Sequence, residues 1–324
     1  MKKSRSIYVV MILSILSGMN LSLSSQVLEQ DSLALVALYD STDGANWTTN
    51  TNWLTAQEVS NWYGIRVSNG RVTEIDLSLN NLVGTIPQNF ENLTGLTDLN
   101  LERNDLSGAF PQEILNLTGL IVLNIRNNNF TGSIPSNIDT LANLATLLLY
   151  NNPLTGHLPP ELGNLPKLYN IQISGTKIDG PIPPELGNLS ELTNLGLRQN
   201  QLTGSIPPEL GKLTNLENLE LYGNQLSGDI PPELGNLVKL DRLFLHVNQL
   251  TGSIPVEHGK LTLVDNFRLE NNNLTGTIPS ELGNLLKVRI LFLSGNQLAG
   301  PIPKEMVNLS HLERFHIYGN ELTS

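Results

Sequence analysis

From Val72 onward the chain repeats one arrangement of apolar and polar positions every 24 residues. The first line reads VTEIDLSLNNLVGTIPQNFENLTG and the second, from Leu96, reads LTDLNLERNDLSGAFPQEILNLTG. Further lines begin at Leu120, Leu144, Leu168, Leu192, Leu216, Leu240, Val264 and Val288, so residues 72–311 hold ten complete lines with no insertion or deletion. An eleventh begins at Leu312 and runs to Ser324. The shared pattern is LxxLxLxxNxLxGxIPxxLGxL. In the line from Leu216, the alternation of Leu219 and Leu221 predicts a short strand with both leucines on one side. One line alone has almost nothing to bury them against. The period therefore predicts a stacked array in which each line covers the next.

The non-apolar positions of the pattern also have physical readings. Asn occupies the ninth place of ten of the eleven lines, among them Asn80, Asn104, Asn200, Asn224 and Asn320. A short amide there both donates to and accepts from backbone that turns into the interior. Thr176 takes that place in the fifth line, and one hydroxyl predicts a looser turn. Gly84, Gly108 and their successors suit a turn with positive φ. The Ile-Pro that follows lacks an amide hydrogen at Pro and is expected on an exposed convex segment. These residues recur along the array, which marks them as scaffold.

The two ends differ from the array. Residues 1–25 have a positive start (Lys2, Lys3, Arg5), an apolar run from Ile7 to Met19 and small residues after it, the layout of a secretory signal peptide. Residues 26–71 are expected to cap the first apolar face. Asp31 is placed to N-cap a helix through Leu33, Leu35, Val36 and Leu38. Trp47, Trp53 and Trp62, all the tryptophans of the chain, follow and offer bulk for burial, with a tryptophan-based ligand site as the alternative. Residues 312–324 read as a partial eleventh repeat without a C-terminal cap, and the expectation is a piece of a longer protein.

The pattern resembles the plant-type leucine-rich repeat over residues 72–324. That resemblance implies an α/β solenoid: a leucine-rich-repeat horseshoe or superhelix with a parallel β-sheet on the concave face. It also implies a 3-10 or irregular convex side and a helical N-terminal cap. The cap segment DSLALVALYDSTDGANWTTNTNWL, with WYGI and GRVTEIDLS, is similar to the caps of bacterial secreted leucine-rich-repeat proteins. Plant receptor ectodomains have a similar cap with paired cysteines. This chain has no cysteine, which points to a bacterial surface protein.

Composition narrows the function classes. Net charge is −11, and residues 1–25 carry three positive charges and no negative one, so their removal makes it −14. That disfavours nucleic acid or an anionic lipid surface as partner. No later segment is long and apolar enough for a transmembrane helix. Without cysteine there is no thiol nucleophile, thiolate metal site or iron–sulfur cluster. His246 and His316 lie three lines apart, roughly 14 Å at about 4.8 Å per strand, too far to share a metal. His157, His258 and His311 fall on convex or turn segments. No GxSxG, HExxH or phosphate-cradling motif is present. The reading is a binding protein, neither an enzyme nor dependent on a cofactor. The sequons at Asn92, Asn116, Asn188 and Asn308 arise from the repeat consensus.

Specificity is expected at the strand positions that the scaffold leaves free: places three, five, seven and eight of each line. The first two lines are acidic there, with Glu74, Asp76, Asp98 and Glu102. Lines seven to eleven gather Tyr222, Arg242, Phe244, His246, Arg268, Phe292, Arg314, His316 and Tyr318. Aromatic residues and Arg are the side chains most enriched at interface hot spots. These nine are the candidate ligand-binding residues, for a protein or peptide ligand of a secreted or cell-surface module. The alternatives are a stiff adhesive spacer with weak multivalent contacts, or a glycan stacked on Phe244 and Phe292.

Overall fold

The structure is a computed structural model that describes residues 27–323. The signal-peptide reading of residues 1–25 falls outside these. A helix, Glu29–Ser41, opens the described chain and is followed by loops and single turns to Asn61. A strand, Ile65–Ser68, then pairs antiparallel with Arg71–Asp76. From Arg71–Asp76 each of the eleven lines contributes one short strand, and these pair in parallel; with Ile65–Ser68 they make a sheet of twelve strands among the described residues. The register never slips: Asn194 faces Asn218, which faces Arg242, which faces Asn266.

The line from Leu216 shows why the stack holds. Leu216, Leu219, Leu221, Leu226, Ile230, Leu234 and Leu237 are all buried. They converge from the strand, the side and the convex turn onto one axial core, continuous along the array. The convex turns are five-residue 3-10 segments such as Pro208–Lys212 and Pro232–Asn236. Neighbouring turns pack so tightly that a Cβ on Gly211 would lie 2.4 Å from the Glu233 carbonyl oxygen.

Between sheet and convex turn runs a second, interrupted parallel ladder that the sequence pattern did not announce. Its pieces include Ser227–Asp229 with Gln249–Thr251, and Val83–Gly84 with Asp105–Ala109 and Asn129–Thr131. It passes through the turn glycines, where Gly228 has φ 75° as expected. The Ile-Pro after it is buried in lines such as the fifth, at Ile182 and Pro183, and exposed in the tenth, where Ile302 is 43% exposed. Proline is tolerated there because the ladder ends before it, so no amide hydrogen is missed.

The ninth-place asparagines form the internal ladder anticipated for them. Asn224 Nδ2 donates to the Leu221 and Leu197 carbonyls at 2.9 and 3.0 Å, and its Oδ1 accepts from Leu202 N–H at 3.1 Å. Each strand carbonyl thus meets two amides, its own line's and the next line's. That redundancy explains the tolerance of Thr176. The Ile173 carbonyl still receives Asn200 Nδ2, and the Leu149 carbonyl still receives Asn152 Nδ2. The bonds of the turn are rearranged: Asn200 Oδ1 accepts from Thr176 N–H at 3.1 Å, and Ile178 N–H donates to Thr176 Oγ1 at 3.2 Å where its counterparts donate to an asparagine. The loss falls on the amide of buried Leu154, whose counterparts Leu202, Leu226 and Leu250 bond to asparagine.

The cap corrects one expectation. The helix is N-capped at Leu28 without a side-chain bond. Asp31 lies inside the first turn, fully buried, and its carboxylate serves the array instead. Oδ2 accepts from Arg71 Nε at 3.0 Å and from Val72 N–H at 2.9 Å, and Oδ1 accepts from Arg71 Nη2 at 3.1 Å. This ion pair ties the cap to the first line. Trp47, Trp53 and Trp62 are buried and mutually packed, with centroids 4.8 and 4.9 Å apart. Their indole N–H groups donate to the Thr42, Tyr63 and Gln57 carbonyls. The rings are cap core and offer no open face for a ligand.

His258 lies on the convex side as its place in the line implied, and the structure adds its burial. It stands on a convex turn, Val256–Lys260, yet is fully buried at the nineteenth place, where lines four to seven have Leu162, Leu186, Leu210 and Leu234. Its ring lies 5.9 Å from Phe267. Neither ring nitrogen makes a well-formed hydrogen bond. Burial pushes its pKa down to about 4, only partly offset by the Pro231 carbonyl.

Candidate functional site

The parallel register sets the concave side chains in columns about 4.8 Å apart along the array. Places five and seven of lines six to eleven join into one stripe. Tyr222 stacks on His246 at 4.3 Å between centroids and meets Phe244 edge-on at 6.2 Å. Arg268 lies over Phe244 at 5.8 Å and over Phe292 at 5.1 Å, bridging the two rings. Phe292 stacks on His316 at 4.0 Å with the planes 3° apart, and His316 leads to Tyr318 at 5.7 Å. Seven of the nine residues singled out from the sequence are therefore in continuous contact. Tyr318 is the most open, at 71% exposure.

Arg242 and Arg314 are not part of that contact. They stand in the third-place column with Asn266 and Ile290 between them in register. Both are exposed, and Arg242 is 3.5 Å from Asp241. They flank the stripe as separate cations.

Three residues absent from the sequence-based set hold the stripe together. Arg198 lies over Tyr222 at 5.8 Å and pairs with buried Glu220. Glu270, also buried, pairs with Arg268, whose Nε donates to Oε1 at 2.9 Å. Lines two to four repeat the motif, with Arg126 over Tyr150 at 5.0 Å and against Glu102 at 2.5 Å. The signal for these partners was in the columns: a Glu on the same line as an Arg or on an adjacent one, on a face shared with aromatics. A partly buried guanidinium between a carboxylate and a ring is held in one orientation.

The environment sets the charge of the stripe. Burial, helped by the charge of Arg268, lowers His246 from 6.5 to about 4, so the imidazole is neutral at physiological pH. His246 Nδ1 and Glu270 Oε2 are both buried without a partner. Place eight is less free than its variability suggested. Leu79, Arg103, Asn127, Asn151, Gln199, Val247 and Asn271 all have φ between 53° and 57° there, and the other lines use glycine. Val247, beside His246, is a β-branched residue in a conformation such residues rarely adopt. Among the described residues, no group of three or more histidines and carboxylates is placed to hold a metal ion.

Repeat models carry the family assignment. The leucine-rich-repeat model matches residues 71–93, 119–141, 143–165, 264–285 and 287–309, and a two-copy leucine-rich-repeats model matches 190–236. The chain is a leucine-rich-repeat solenoid. Solved ectodomains superpose on this solenoid closely. One is the leucine-rich-repeat ectodomain of the Arabidopsis thaliana membrane receptor kinase GASSHO1/SCHENGEN3, in complex with CASPARIAN STRIP INTEGRITY FACTOR 2. It is 34% identical, with a TM-score of 0.86 over 90% of this chain and 36% of that one. PEPR1 with AtPEP1 is 32% identical, with a TM-score of 0.79 over 91% and 46%. The Arabidopsis receptor kinase HAESA, with the peptide hormone IDA and the co-receptor SERK1, is 30% identical, with a TM-score of 0.73 over 91% and 54%. The solenoid thus spans between about a third and a half of the length of these ectodomains. No curated protein matches it. Among the described residues no helix is long and apolar enough to cross a membrane.

Proposed function

We propose that this solenoid is a secreted or cell-surface recognition module that binds a peptide or protein segment on its concave face, across lines seven to eleven. The observation that carries the reading is the unbroken stripe from Tyr222 to Tyr318, in which rings, Arg268 and a buried carboxylate are pre-packed before any ligand arrives. Pre-packed side chains lose little rotamer freedom on binding, so more of the contact energy appears as affinity. The similar ectodomains of GASSHO1/SCHENGEN3 and HAESA, solved with a factor and a peptide hormone, support the same use of this fold. The reading of a bacterial surface protein rests on the cysteine-free cap.

Glycan stacking is disfavoured at Phe292. Its ring has His316 from the next line on one side and Arg268 from the preceding line on the other. A sugar would have to displace one of them.

The test is capture from host and self surface extracts with the chain as bait. Phe244→Ala and Arg268→Ala should each abolish capture of the cognate partner, because either gap breaks the stripe at its centre. Thr203→Ala, on the side of the solenoid, should leave capture intact. Equal, weak effects from all three would favour the adhesive spacer.

A further inference from the structure

We infer that the ligand segment is cationic, with a guanidinium or ammonium group seated at lines seven to nine; this rests on the concave-face reading above.

The first argument is the state of the polar groups already there. Glu270 is buried, yet only one of its carboxylate oxygens is engaged, by Arg268; Oε2 has no partner. His246, also buried, leaves Nδ1 without one. The two residues sit on adjacent strands, with Val247 N–H donating to the Glu270 carbonyl at 2.9 Å. Their side chains therefore start about 4.8 Å apart. A neutral imidazole can present Nδ1 as an acceptor. A carboxylate oxygen and that nitrogen together call for a group with two or more donors, which ammonium and guanidinium supply. Leaving a buried acceptor unfilled is costly, so such a pair persists best where something fills it.

The second argument is the rim. Place two of lines seven, eight, nine and eleven carries Glu217, Asp241, Asp265 and Glu313. The single cation of that column, Arg289, is held between Asp265 and Glu313. The cations facing lines seven to nine already have carboxylates: Arg198 on Glu220, Arg268 on Glu270 and Arg242 near Asp241. Arg314, in the eleventh line, has no ion pair among the described residues, which keeps the cation seat away from that end. Exposed Glu217 has none either and stands at the lip of the face.

The third argument is that the face already shows how it holds a guanidinium. Arg126, Arg198 and Arg268 are each kept by one Glu and at least one aromatic ring. Phe244, whose ring neighbours Tyr222 and His246 meet it edge-on, can offer the same pairing to a ligand cation beside Glu270, whereas Tyr222 already carries His246 and Arg198. A net charge of −11 steers such a ligand inward.

The test is selection of displayed random 12-residue peptides on the full chain, followed by fluorescence anisotropy of the enriched peptides. Peptides dependent on Phe244 should be net positive. Glu270→Gln should weaken them at least tenfold, because it removes the carboxylate and frees the Arg268 charge. Glu217→Gln, at an exposed position that cannot upset folding, should weaken them about threefold, and raised salt should weaken them further. Enrichment of acidic peptides that bind more tightly to the Glu270→Gln chain overturns the cation and leaves the concave-face reading standing. Peptides of any charge that bind Phe244→Ala unchanged, or no enrichment at all, overturn both.

Discussion

Replacing His258 with leucine, the residue of the equivalent place in lines four to seven, isolates the energetic effect of one buried imidazole. The ring is fully buried and its pKa falls from 6.5 to about 4. The sign follows from the depressed value. The unfolded chain takes up a proton below its ordinary pKa, whereas the folded chain refuses it until pH is near 4. The stabilisation that depends on a neutral ring is therefore complete above pH 6.5 and lost progressively down to about pH 4. At about 1.36 kcal/mol per pKa unit, the loss is roughly 3 kcal/mol. His246 titrates alike in both chains and cancels from the comparison. For a chain of this size an unfolding entropy of about 0.6 kcal/mol per degree converts that to roughly 5 °C. Thermal unfolding followed by circular dichroism at pH 7 and pH 4 reads it directly. Between those pH values the wild type should lose about 5 °C more than His258→Leu. At pH 7 the variant should already be the more stable, because it no longer buries poorly bonded nitrogens. Equal pH dependence in the two chains would refute the argument.

Thr176→Asn should stabilise by about 1 kcal/mol by giving the Leu154 amide an acceptor, read as a higher urea midpoint with unchanged slope. Val247→Gly should stabilise by about 1 kcal/mol in the same measurement, since the left-handed backbone there strains a β-branched residue. Asp31→Ala should cost about 3 kcal/mol, because it removes the acceptor of Arg71 and of the buried Val72 amide. That loss should appear first as proteolytic sensitivity of the cap before the array melts.

The array was readable because its cause is periodic: every line needs apolar residues at the same places, so the pattern recurs until chance is excluded. The asparagine ladder and the turn glycines were readable for the same reason. Asp31 was misread because N-capping is a local rule, whereas its actual partners, Arg71 and Val72, are about forty residues away. His258 was placed correctly on a convex turn, but its burial was not read, because a convex turn in a tightly stacked solenoid still points one side chain inward. The second ladder has no alternation of its own to reveal it. At the concave face the columns named the right neighbourhood, and seven of nine residues meet. The sequence alone placed Arg242 and Arg314 with them because it counts columns but not which column a stripe follows. It passed over Arg198 because that residue lies in line six, outside the lines chosen, and over Glu220 and Glu270 because enrichment in hot spots favours rings and Arg, whereas buried carboxylates hold those Arg side chains against the rings.

Radical footprinting of the captured complex tests most directly the claim that lines seven to eleven are the binding face. Tyr318 is exposed within the stripe, while Tyr63 and Tyr169 are exposed on the cap and the fifth line. Bound partner should suppress oxidation of Tyr318 and leave Tyr63 and Tyr169 at their free-chain rates. Protection of Tyr63 or Tyr169 with Tyr318 unchanged would contradict the account.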